Sequence, residues 1–196
     1  MDWLPLTLLS VAAFATTNLD DAFVLLLFFG DRRYRARHVF IGQALGVGLL
    51  VLLSLIGALV ALALPARAVG LLGLLPIAIG VKHLLERRRG QPDEPEAAAP
   101  PGAAGWRQAA AVAGITVANG GDNLGVYVPL FATRSPLETA LILGGFAVML
   151  VMWTFAGYYL ARHSAVAARL QRLSGVVMPW VLIGLGAAII VDSILQ

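Results

Sequence analysis

The chain contains no cysteine, which excludes disulfides, thiolate catalysis and thiolate metal sites. Charge is also scarce: Asp, Glu, Lys and Arg make up 13% of residues, against roughly a quarter in soluble domains. With 59% hydrophobic residues and a positive mean hydropathy, the composition excludes an ordinary soluble domain and predicts an integral membrane protein. The N-terminus lacks the basic region of a signal peptide. It opens with Asp2, and its apolar run far exceeds the roughly 7 to 15 residues of a signal core, so it reads as a mature helix. A pI near 9.8 would suit a nucleic-acid partner, but the arginines cluster beside helix ends, the pattern that orients membrane proteins. The expected surroundings are therefore a lipid bilayer, with no nucleic acid.

Spanning the hydrocarbon core takes about 20 apolar residues. Six runs meet or approach that length: 5–29, 38–64, 68–85, 108–133, 137–161 and 172–195. The third is short and is interrupted by Gly70, Gly73, Pro76 and Gly80, which a spanning helix tolerates when neighbours satisfy the freed backbone groups. Twelve basic residues flank the odd connections, among them Arg32, Arg33, Arg35, Arg37, Lys82, Arg87, Arg88, Arg89 and Arg107, and only Arg67 and Arg134 fall in the even ones. The positive-inside rule then puts the odd connections in the cytoplasm and both termini outside a multi-pass cell membrane protein, inner or plasma membrane. His38, His83 and His163 lie at cytoplasmic ends, as ordinary interfacial residues.

Residues 90–105 carry four prolines and no apolar periodicity, the composition of a disordered cytoplasmic linker. It separates a first three-helix unit, 1–89, from a second, 106–196. The units correspond at an offset near 102. Asn18 answers Asn119 and Asp21 answers Asp122 at 101, Gly42 answers Gly144 at 102, and Pro76 answers Pro179 at 103. Three helices per copy force the second copy to enter the membrane from the opposite side. The expected fold is thus all-α, with six transmembrane helices as a 3+3 inverted-topology repeat, a transporter arrangement with its site at midplane.

Two polar islands interrupt this apolar background. One is Thr17-Asn18-Leu19-Asp20-Asp21; the other runs from Thr116 to Pro129 and holds Asn119, Gly120, Gly121, Asp122, Asn123, Gly125 and Tyr127. A carboxylate near the bilayer centre costs about 3 kcal/mol on insertion scales, so one that is kept there marks a site or pathway. On a helix Thr116, Asn119 and Asn123 share a face, with Asp122 beside them and Tyr127 one turn on. Thr17, Asn18 and Asp21 share a face of the first run, and Asp20 lies about 100° from Asp21. Gly120-Gly121 is a poor helix interior and Pro129 cannot donate to the Gly125 carbonyl, so the fourth helix is expected to loosen and expose main-chain oxygens. The three glycines fit a small-residue packing seam equally well. Asn18, Asp20, Asp21, Asn119, Asp122 and Asn123 together offer an oxygen-rich cage for a divalent ion, supported by Thr17, Thr116, Gly120, Gly121, Gly125 and Tyr127.

The string from Ala118 to Ala132, Ala-Asn-Gly-Gly-Asp-Asn-Leu-Gly-Val-Tyr-Val-Pro-Leu-Phe-Ala, closely resembles the fourth-helix signature of the cadmium resistance transporter (CadD-like) family. Thr-Asn-Leu-Asp-Asp resembles its first-helix acidic motif, and the similarity extends over nearly the whole chain. That family is placed among the lysine exporters, with manganese exporters and tellurium-resistance proteins. The resemblance implies efflux of cadmium or related divalent cations, with the acidic residues of helices one and four as the site. Cadmium favours sulfur, whereas Met149, Met152 and Met178 lie outside the islands; the oxygen cage suits manganese, calcium or magnesium at least as well. Protons are the expected counter-ion, no resident cofactor is expected, and a homo-oligomer is compatible with the sequence. Two other functions compete. The wider superfamily includes exporters of basic amino acids, which an aromatic or apolar pocket would favour. An intramembrane aspartate enzyme would carry Gly-x-Gly-Asp, where this chain has Asn119-Gly120-Gly121-Asp122, so no enzymatic activity is expected.

Overall fold

The computed structural model describes residues 3–31, 33–63, 71–72, 74–89, 105–161 and 179–191. The side chains of Trp3, Asp20, Phe23, His83 and Arg87 fall outside that description, as do His163, Met178, Asp192 and, apart from Gly105, the expected linker. Among the described residues every regular element is an α-helix: α1 (Trp3–Thr17), α2 (Leu19–Gly30), α3 (Ala36–Ala61), α4 (Leu74–Arg88), α5 (Trp106–Asn119), α6 (Gly121–Ala132), α7 (Pro136–Leu160) and α8 (Pro179–Val191).

The first and fourth apolar runs are each divided in two. In the fourth, the expected loosening falls at Gly120, where the backbone takes φ −80° and ψ 22°. There the Gly120 N–H closes a three-residue turn on Val117 O at 3.2 Å. Pro129 lies inside α6 without ending it. The division of the first run at Asn18 is a departure from the single expected helix, and side chains rather than glycine cause it. Thr16 Oγ1 donates to Ala12 O at 2.6 Å, Thr17 Oγ1 to Ala13 O at 3.0 Å and Asn18 Nδ2 to Phe14 O at 2.9 Å. Three successive side chains bonded back onto the preceding turn bend a helix. The main chain bends without parting, since Asn18 N still reaches Phe14 O at 3.0 Å and Ala22 N reaches Asn18 O at 3.2 Å.

The long helices brace these bent pairs crosswise: α3 packs on α5 and α6, and α7 packs on α1 and α2. Small residues permit the close approach. A Cβ on Gly42 would stand 2.5 Å from Ala109 O, and one on Gly46 2.7 Å from Thr116 Cβ. On the other brace Gly145 faces Ser10 and Gly157 faces Leu25. In the third run Pro76 falls in the first turn of α4, which begins at Leu74, where a missing N–H costs nothing. Gly80 of α4 then meets Pro179 and Ile183 of α8.

Polarity is inverted relative to a soluble bundle. Ile41, Leu45, Leu49, Ile56 and Leu59 of α3 face outward, as do Val148, Val151, Met152 and Phe155 of α7, while Gln43, Ser54 and Thr154 are buried. Ser54 and Thr154 satisfy their hydroxyls within their own helices, on Leu50 O and Leu150 O, both at 2.7 Å. Helices α3 and α7, of 26 and 25 residues, are each long and apolar enough to cross a membrane. At one end Gln108 fastens α5 to the first connection, donating to Arg33 O at 2.7 Å and accepting from Arg35 N at 3.1 Å. Because that orients the amide, His38 Nδ1, 2.9 Å from Gln108 Oε1, must be the protonated ring nitrogen. Nearby, hydrogen bonds from the Arg33 side chain and N–H hold the Asp31 carboxyl below the usual carboxylate range.

Candidate cation site

The bends at Asn18 and Gly120 lie where the two polar islands meet. Thr17 and Asn18, at the end of α1, face Asn123 and Tyr127 of α6, and all four are buried. Tyr127 OH is 2.8 Å from Thr17 Oγ1 and 2.9 Å from Asn18 Nδ2, which also lies 3.4 Å from Asn123 Oδ1. The Asn18 amide cannot be turned over, because Nδ2 donates to the Phe14 carbonyl, an acceptor only. Its Oδ1 is therefore a fixed acceptor, buried and without a hydrogen-bond partner. Leaving a buried acceptor unmade costs about 1–3 kcal/mol. On the opposite side Trp153 Nε1 donates to the Asn18 main-chain oxygen at 2.8 Å, pinning the bend to α7.

A second polar group adjoins the first. Asp21, buried in the first turn of α2, accepts from Gln43 Nε2 of α3 at 2.9 Å, and Gln43 Oε1 accepts from Thr116 Oγ1 of α5 at 2.8 Å. Asp122 is half-buried at the start of α6, its Oδ1 accepting from Asn123 N at 2.9 Å. Asp21 and Asp122 both lie close enough to Tyr127 to act on its hydroxyl electrostatically.

The expected cage is thus partly assembled by the fold. Thr17, Asn18, Asn123 and Tyr127 come together, and Asp21 and Thr116 are joined through Gln43. Asn119 is half-buried. Gly120 is buried against Leu50, Gly125 abuts Ile79, and Gly121 is exposed with open space beside it. The two readings of the glycines therefore divide by position: Gly120 and Gly125 are packing contacts, and Gly120 is also the interruption. Among the described residues no three His, Asp or Glu side chains gather as a metal cluster, so amide and hydroxyl oxygens dominate. The sequence reading missed Gln43 and Trp153. A lone amide in an apolar run, between glycines four residues apart, was the available signal for Gln43; Trp153 offered none.

A family model described as cadmium resistance transporter matches residues 14–195, which takes in both islands. The chain belongs to the cadmium resistance transporter family. No curated protein and no solved structure matches it. Membership makes this chain a membrane protein of a transport family, with a metal cation as the substrate the family implies, which is consistent with the expectation that it is not an enzyme.

Proposed function

We propose that this transporter exports divalent cations of the cadmium type from a site at the membrane midplane between the bends of α1–α2 and α5–α6, in exchange for protons. The observation that carries this reading is the buried, unpartnered Asn18 Oδ1, a fixed oxygen beside Asn123 and Tyr127 with Asp21 and Asp122 nearby. A cation supplies what that oxygen lacks. Hydroxyl and amide groups 2.8–3.4 Å apart suit a bare ion better than an organic solute. Asp20, Asp21, Asn119, Asp122 and Asn123 complete the proposed ligand set.

The proposed architecture is six spans in a 3+3 inverted repeat. Supporting it, α2 and α6 have 12 residues each and begin 102 positions apart, at Leu19 and Gly121. The bends at Asn18 and Gly120 share that offset, and each long helix braces the bent pair of the other half. In this register Asp20 answers Asp122 and Asp21 answers Asn123, one position away from the pairing that the sequence alone favours. Moving a cation outward works against about 2.3 kcal/mol per charge per 100 mV, which an inward proton flux offsets.

Thermal unfolding of the purified protein tests ion binding, because a ligand of the folded state raises apparent stability. Manganese or calcium should stabilise it to a degree comparable with cadmium, and lysine should not. Met152 faces outward and Met149 packs against the buried cluster around Tyr127 and Phe146, so a large cadmium preference would implicate Met149 sulfur. In reconstituted vesicles Asp122→Asn should abolish export driven by a pH gradient. Transport by that variant at the native rate overturns the mechanism.

A further inference from the structure

Gln43 belongs to neither polar island, yet it is fully buried at the closest approach of α3 to α5. Gly42 and Gly46 flank it and create that approach, since a Cβ on either would run into Ala109, Val112 or Thr116. The side chain bridges three helices. Nε2 donates to Asp21 Oδ2 of α2 at 2.9 Å, and Oε1 accepts from Thr116 Oγ1 of α5 at 2.8 Å. An ionised carboxylate only accepts, so the N–H must face Asp21 and the amide oxygen must face Thr116. The carboxylate therefore sets the orientation of the amide, and the Thr116 hydroxyl, which can donate or accept, donates to the oxygen that this leaves facing it.

We infer that Gln43 is a positioning residue of the transport site: with Thr116 it fixes one oxygen of Asp21 and thereby the direction in which that carboxylate meets the transported cation. The inference rests on the proposed role of Asp21 as a ligand. Partners that orient a ligating side chain typically contribute 10–100-fold to metal affinity. A side chain that only filled space between α3 and α5 would contribute to folding and leave affinity untouched.

The test is calorimetric titration of manganese and of cadmium into the purified full-length protein. Gln43→Met, which keeps the volume and removes both bonds, should weaken binding about 10–100-fold, and Thr116→Val should weaken it in the same direction by less. Asp21→Asn combined with Gln43→Met should bind no more weakly than Asp21→Asn alone, because both changes remove one interaction. In vesicles the Gln43→Met loss should be in KM, with the maximal rate largely kept. Native affinity in Gln43→Met, or losses that add in the double variant, overturns the inference while leaving the cation site standing. Should Gln43→Met fail to fold, native affinity in Thr116→Val overturns it equally. If the unmutated protein binds neither ion, the proposed site falls, and the role of Gln43 falls with it.

Discussion

At Asn18 one side chain has two jobs that pull in different directions. Its Nδ2 bonds Phe14 O and Tyr127 OH and so helps set the bend, while its Oδ1 is left without a donor. Truncation removes both the bonds and the orphan, so the two effects on stability partly cancel. Asn18→Ala should therefore lower the metal-free stability by only about 1 kcal/mol, yet eliminate stabilisation by manganese or cadmium. Thermal unfolding with and without metal measures both quantities, and an intact metal-dependent shift in the variant would remove Asn18 from the site. Polar residues of this kind were legible in the sequence because amides and carboxylates stand out in an apolar run. Which atoms they offer was not legible, since that depends on neighbours more than 100 positions away, Asn123 and Tyr127 among them.

Helices here meet through glycines that differ sharply in what surrounds them. Gly42 faces the Ala109 carbonyl and Val112, neither of which can give way cheaply, whereas Gly48, on the same helix, has nothing within 4 Å. Gly42→Ala should separate α3 from α5, cost about 1–3 kcal/mol as an overpacked contact, and displace Gln43 from Thr116. Gly48→Ala should be neutral or stabilising by up to about 1 kcal/mol, the ordinary helix preference of alanine over glycine. Equal denaturation midpoints for the two variants would contradict the assigned packing. The expected break in the fourth run was readable because paired glycines weaken a helix from within. The break in the first was not, because threonine and asparagine bend a helix only when their side chains turn back onto it.

Across the whole molecule, the crosswise bracing of α3 on α5–α6 and α7 on α1–α2 ties the two halves of the chain together. The proposed six-span topology puts twelve of the 14 basic residues beside cytoplasmic connections. Single cysteines introduced into this cysteine-free chain give an unambiguous readout. A cysteine in residues 90–105 should resist an impermeant thiol reagent in intact cells, and cysteines at either terminus should react. Labelling of the 90–105 segment from outside would reverse the proposed orientation.

Composition by itself determined that the chain is a helical membrane protein, because so little charge and so much apolar length leave no soluble solution. The fourth-helix string determined the family, and the polar islands determined where to look for a site. Tertiary structure decided how those islands meet. It turned Asp21 toward Gln43 and left Asn18 Oδ1 buried and unmatched. The physical reason is one of range. Hydrophobicity and helix weakness are properties of a local stretch, whereas the direction of a buried amide or carboxylate is set by the partner that satisfies it, and here those partners come from other helices.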